Sequence, residues 1–193
     1  MISAMSLAQM PVAVNGIKKG DTFMGDVSLR GLTPDDVPLL WKWLQEYPHQ
    51  NFDDYGPKCI EEFEVELMRR MQRNTVYVVA TLNDTPVGCI GYEKETPRNG
   101  SLRGVCFAKS VHRTGVAAFA VKHFLRSIFN AGTEKVSAMY FSNNEQIKKF
   151  LKKQGFGLEG TLMAHTLRRG VPVKMNLVAL HKKNFMPSGG FGQ

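Results

Sequence analysis

The stretch from Leu102 to Asn130, LRGVCFAKSVHRTGVAAFAVKHFLRSIFN, decides how this chain is read. Leu102 to Lys109 suits a β-strand, Ser110 to Thr114 breaks it, and Gly115 to Asn130 is a strongly apolar helix. A strand that passes through a small-residue turn into an apolar helix is the central part of an α/β unit. The turn also has a chemical reading. The first N–H groups of a helix lack partners and lie at the positive end of the helix dipole, so they attract phosphate. Gly115 and Ala117 carry little bulk, which would let an anion reach the backbone. A carboxylate substituted at Gly115 is expected to block that anion while suiting the dipole and leaving the fold largely intact.

Downstream, Lys135 to Ser142 reads as a strand and Asn144 to Gln154 as an amphipathic helix closed by Gly155. Two strands follow, about Leu158 to Thr166 and Val171 to Leu180, around the turn Arg168, Arg169 and Gly170. Upstream, Val27 to Leu32 is a first strand. Thr33 is then an N-cap, with Pro34 at the first helical position and Asp35 and Asp36 in the first turn. Val37, Leu40, Trp41 and Leu44 recur at the spacing of one buried helix face. A loop from Tyr47 to Gly56 leads to a second helix, ending near Arg73, with Ile60, Phe63, Leu67 and Met71 inward. Thr75 to Leu82 and Val87 to Glu93 form a hairpin around Asn83 to Pro86. The order is strand, two helices, three strands, helix, strand, helix, two strands: an α/β fold on a mixed sheet. Residues 1–25 read as an N-terminal extension, 26–185 as one domain, and 186–193 as a flexible, glycine-rich tail.

Composition narrows the class. At 193 residues, 43% hydrophobic and 22% charged, the chain suits one globular domain. It has no apolar run of the roughly 18 residues that would span a membrane, and the first 25 residues do not follow the pattern of a secretory signal. Cys59, Cys89 and Cys106 are scattered and form no CxxC, which argues against a disulfide framework or a zinc site and suggests a reduced, cytoplasmic setting. The net charge of +8 favours a polyanionic partner: nucleic acid, ribosome, anionic membrane or a phosphorylated cofactor. Its densest cluster, Lys148, Lys149, Lys152 and Lys153, lies opposite Ile147, Phe150 and Leu151 and is read mainly as a solvated helix face.

The segment from His112 to Ala117 resembles the acyl-CoA motif of the GNAT superfamily: Gln or Arg, two residues, Gly, one residue, then Gly or Ala. Gly115 and Ala117 match, and His112 stands where the family has Gln or Arg. Asn144 falls 11 residues before Gly155, and Gly155 to Leu162 is similar to the segment after the last helix in the RimJ/RimL-like branch. The resemblance implies a GNAT-like mixed, mostly antiparallel central sheet flanked by helices. It implies acetyl transfer from acetyl-CoA to a primary amine, by direct attack in a ternary complex. Backbone groups of Phe107, Ala108 and Lys109 would run beside the pantetheine arm. The amides of Arg113, Thr114, Gly115, Val116 and Ala117 would hold the pyrophosphate, with His112 at the head of the motif. Asn144 would contact the cofactor arm, cap its helix, or do both.

Leu151 occupies the position of the family's acidic Tyr, and Ile147 that of the branch's Ser. His165 on a late strand, and Tyr92 with Glu93 at the end of a hairpin strand, remain as candidate acid/base groups. The loop His49 to Tyr55 borders the expected acceptor site, and Asp53 and Asp54 there could meet an ammonium or simply belong to a polar loop. Two other readings stay open: a GNAT-fold binding module with weak or no catalysis, and a basic protein associated with nucleic acid or the ribosome.

Overall fold

The computed structural model describes residues 12–14, 25–46 and 53–185. In chain order, the elements begin with strand β1 (Val12–Val14), strand β2 (Val27–Gly31) and helix α1 (Val37–Gln45), then helix α2 (Ile60–Gln72). Three strands follow, β3 (Thr75–Leu82), β4 (Thr85–Lys94) and β5 (Asn99–Phe107). Helix α3 (Val116–Asn130), strand β6 (Lys135–Phe141) and helix α4 (Glu145–Lys153) come next. The chain continues through β7 (Gly157–Arg168), β8 (Val171–His181) and a short helix α5 (Lys182–Phe185).

The strands form one eight-stranded sheet in the order β1-β2-β3-β4-β5-β6-β8-β7. Its described pairings are antiparallel except for β5 with β6, which is parallel. This is the mixed, mostly antiparallel sheet expected. A strand at Val12–Val14 pairs with β2, where only an extension was expected. The rest of residues 1–24, the loop 47–52 and the expected flexible tail 186–193 lie outside the described residues.

Each face of the sheet is covered. On one, α3 buries Val116, Ala120, Val121, Phe124, Leu125, Ile128 and Phe129 against Val78, Ile90, Val136 and Leu180, with Leu151 of α4 beside them. On the other, Leu40, Trp43 and Leu44 of α1 and Phe63 and Leu67 of α2 pack over Tyr77, Cys89 and Cys106. Burying such side chains contributes about 1.5–3 kcal/mol each, so both helix pairs are fixed by the sheet they cover. The buried tryptophan of α1 is Trp43, not Trp41 as its spacing suggested. Trp41 is half-buried and lies 5.5 Å from the Phe63 ring, filling the seam between α1 and α2. Met71, expected inward, is 45% exposed, because α2 contributes only Phe63 and Leu67 to the core.

The start of α1 is held by charge. Arg30 of β2 grips Asp36 with two hydrogen bonds of 2.7 Å each. Thr33 donates to the same carboxylate through its backbone N–H and its hydroxyl, both at 2.8 Å. Asp36 is buried, and the Arg30 guanidinium holds its carboxyl down at about 2.

Candidate active site

The parallel pair that joins the two halves of the sheet is short. β5 and β6 are in register only at Asn99 with Lys135, Gly100 with Val136 and Ser101 with Ser137. Beyond those positions the strands part. A bulge reinforces the divergence: Cys89 pairs with Cys106 and Gly91 with Arg103, so β5 holds one more residue than β4 there. Gly104 supplies the positive φ of 62° at this bulge, a backbone state that costs a side-chain-bearing residue energy.

A cavity of about 500 Å3 fills the opening. One wall is Val105, Phe107, Ala138 and Tyr140, with Asn144, Ile147 and Leu151 of α4. The opposite wall comes from α1 and α2 and includes Trp43, Phe63, Leu67 and Arg70.

At the end of β5 the chain turns sharply into α3. Arg113 (φ 64°) and Gly115 (φ 93°) are both left-handed. The Gly115 carbonyl accepts the first helical bond, from Phe119 N at 2.9 Å. Gly115 is therefore the N-cap, and the N–H groups of Val116, Ala117 and Ala118 precede the first intrahelical donor. Thr114 trims the set by receiving Val116 N at 3.4 Å, a long bond. Successive amides around a left-handed turn, at a helix start, make an anion-binding concavity. The residues present thus fit a pyrophosphate. The conformation also corrects the expectation for Gly115. A glutamate there would be forced into the left-handed region, at about 1–2 kcal/mol, however well it suited the dipole.

A second closure ties the far side of the cavity together. Asp54 accepts the backbone N–H groups of Arg169 and Gly170, each at 2.7 Å, and donates its own N–H to Leu167 O at 2.9 Å. Thr166 donates its hydroxyl to Asp53 at 2.6 Å. The loop before α2 is thereby latched onto the β7–β8 turn. Those two amides hold the Asp54 carboxyl below its ordinary range.

A GNAT acetyltransferase domain model matches residues 26–157. The chain belongs to the GNAT family. Among solved structures, spermidine N-acetyltransferase from Vibrio cholerae, in complex with CoA and spermine, is similar at TM-score 0.71 and 14% identity, covering 82% of this chain and 97% of that one. Ribosomal-protein-alanine N-acetyltransferase from Brucella melitensis is similar at TM-score 0.66 and 17% identity, covering 79% and 98%. A ribosomal-protein-S5-alanine acetyltransferase from Vibrio fischeri gives TM-score 0.67 and 16% identity, covering 91% and 100%. No curated protein matches the chain in sequence. At these identities the structural likeness shows a shared fold, and the family match supports acetyl transfer to amines in general. Among the described residues, no helix is long and apolar enough to cross a membrane.

Within this GNAT fold the expected cofactor residues divide. Phe107, His112, Arg113, Ala117 and Asn144 line the cavity, whereas Ala108, Lys109, Thr114, Gly115 and Val116 are absent from its lining. Ala108 donates its N–H to Val87 O at 2.9 Å, inside the sheet. Lys109 donates its N–H to the Glu46 carboxylate at 2.9 Å, which ties the end of α1 to the end of β5. By strand alternation the Phe107 backbone groups face away from β4, into the wedge. His112 has a role its motif position did not foretell. Its Nε2 lies 3.1 Å from the Phe107 carbonyl, so the ring straps the turn to the strand. Asn144 caps α4, accepting Ile147 N at 3.1 Å, and also lines the cavity. Gln154 at the other end of α4 donates to Ala118 O, fixing α4 against the start of α3.

The expected acid/base residues lie elsewhere. His165 is exposed, in a stretch of β7 where the register with β8 slips between Leu162 and Thr166. Glu93 accepts from Arg103 Nε at 3.0 Å, and neither residue lines the cavity. The polar groups that do line it include Glu66, Arg70 and Tyr77, which sequence reasoning missed. Arg70 donates to Glu66 at 2.7 Å and also bonds the Tyr77 hydroxyl. Burial pushes the Tyr77 phenol above its ordinary value, with Arg70 opposing that shift. The i, i+4 spacing of Glu66 and Arg70 was visible in the sequence; their pairing with a strand tyrosine was not.

Proposed function

We propose that this protein transfers an acetyl group from acetyl-CoA to a primary amine by direct attack in a ternary complex, and that it works in the cytoplasm as a relative of the RimJ/RimL-like branch. The observation that carries this reading is a wedge between β5 and β6 that ends at a left-handed, amide-rich helix start. When bound, acetyl-CoA supplies an acyl group already activated as a thioester. The protein's own work is positional. The amides at the start of α3 would hold the pyrophosphate, and Asn144 the arm. Backbone N–H groups of β5 that face the wedge would stabilise charge developing on the acyl oxygen. His112 keeps turn and strand in fixed relation, and orientation of this kind is a large part of catalysis between two bound reactants.

The amine must be neutral to attack. An apolar cavity disfavours its charged form, so desolvation lowers the amine pKa without a dedicated base. His165 and Glu93 would contribute only through water, one being exposed and the other held by Arg103. The rate should therefore rise with pH as solvent takes up the proton.

An acetyl-CoA titration by calorimetry, with a thermal melt, tests the reading. Ligand at 100 times its dissociation constant should stabilise the fold by about 2.7 kcal/mol. Absence of both heat and thermal shift would discard it. Ile147 and Leu151 make the wall apolar where the family carries hydroxyls, which favours a second reading as a binding module. Binding of acetyl-CoA with no thiol release on any amine would select that one.

A further inference from the structure

The α1–α2 side of the cavity indicates what kind of amine enters it. We infer, resting on the acetyl-transfer reading above, that the acceptor is a primary amine carried on an aromatic or branched apolar body, and not a polyamine. The wall facing the wedge is built from Leu40, Trp43, Phe63 and Leu67, all buried, with Phe141 closing it from β6. A body of matching character gains by leaving water, and the indole and phenyl groups of Trp43 and Phe63 favour an aromatic one.

A polyamine needs the opposite. Its further ammonium groups must each find an anion, because an unpaired buried charge is costly. Among the described residues, two carboxylates line the cavity, Asp53 and Glu66. Asp53 accepts two neutral donors, Tyr55 N at 3.0 Å and the Thr166 hydroxyl at 2.6 Å, so its charge can meet one ammonium at most. Glu66 already accepts Arg69 at 3.0 Å and Arg70 at 2.7 Å. Nearby, Asp54 is spent on the β7–β8 turn and Glu46 on Lys109 N. Arg70 is neutralised by its pairing with Glu66, and Arg113 leaves the cavity lining with a further positive charge, which disfavours a polycation. The pocket matches a single amine that sheds its charge before reacting.

The amine could belong to a free arylalkylamine or to the aromatic first residue of a peptide, and the test separates these sources. Tryptamine, a tripeptide amide beginning with Trp, and spermidine are compared on the whole protein at saturating acetyl-CoA, by thiol release. One of the two aromatic amines should exceed spermidine in kcat/KM by roughly 10- to 100-fold, the gain from burying its body. The larger of the two names the source. Phe63→Leu should reduce that advantage and leave acetyl-CoA affinity unchanged. Spermidine equal to or better than both aromatic amines, or thiol release with none of the three, would overturn the inference. Calorimetry keeps the two levels apart. If acetyl-CoA gives no heat, acetyl transfer itself fails, and the binding heats of tryptamine and spermidine alone then decide: tighter tryptamine supports the inference, and tighter or equal spermidine overturns it.

Discussion

The two halves of the cavity are made in different ways. The half along β5, α3 and α4 is shaped by backbone: two left-handed residues, a helix start and a bulged strand. The half under α1 and α2 is lined by side chains gathered from distant segments, tied by contacts such as Asp54 to Gly170, 116 residues apart. Backbone recognition needs a few residues in one short stretch and tolerates change around them. Side-chain recognition can be rewritten one residue at a time. On the proposed function, the first half would suit a constant co-substrate and the second a variable acceptor.

The sharpest test of this division is Ala117→Glu. Position 117 is in the first turn of α3, where an acidic residue suits the dipole, so the melting temperature should hardly move. The carboxylate would stand at the cavity wall beside the anion site, and acetyl-CoA affinity should fall at least about 100-fold. A calorimetric affinity within a few-fold of wild type would show that the backbone half does not hold the co-substrate. Gly115→Ala is the control, because it should cost stability through φ instead of affinity through charge.

The next largest effect concerns what anchors the side-chain half. The folded Asp36 carboxyl sits at about 2, below its usual 3.8. A depressed carboxyl contributes stability that is fully present above about pH 4 and is lost as pH falls through 2. The contribution should be about 2 kcal/mol, and Asp36→Ala should remove it at pH 7 and flatten the acid limb. Urea denaturation of both proteins at pH 7, 4 and 3 measures this. Parallel acid limbs would mean that Arg30 and Asp36 do not anchor α1.

A smaller, kinetic effect should follow from Asp54→Asn, which keeps the size and weakens the latch. The acceptor KM should rise several-fold while acetyl-CoA affinity stays put. A shift in acetyl-CoA affinity instead would mean that the halves are not separable. Smallest of all is His165→Ala, for which kcat should stay within scatter of wild type at pH 7 and pH 9. A large loss at both would restore His165 as a catalytic residue.

How much of this could be read from the sequence follows the same division. The strand, glycine turn and helix at Leu102 to Asn130 were legible because backbone geometry leaves its mark in a local pattern. Asn144 was legible for the same reason, since a cap sits at a fixed distance from what it caps. The rest was set by packing. Trp41 and Trp43 are both plausible inward residues of α1, and only the position of Phe63 decides that one faces the sheet and the other the seam between helices. Asp53 and Asp54 look like a free acidic pair until the hairpin that consumes them is placed alongside. His112 looked like a departure from its motif, and its bond to Phe107 O depends on how the turn folds back. Val12–Val14 is too short a run to signal a strand without the edge of β2 to pair with.

The latch at the β7–β8 turn also gives the molecule a reporter. The amides of Arg169 and Gly170 donate to the Asp54 carboxylate, outside the ladder that pairs β7 with β8. Their hydrogen exchange should therefore track local opening of this corner, at a lower free energy than global unfolding. An amine that enters beneath the latch and holds it shut would slow exchange at those two positions, while an acyl donor bound in the other half would leave them as they were. Two backbone protons can thus register arrival of the second substrate without any turnover.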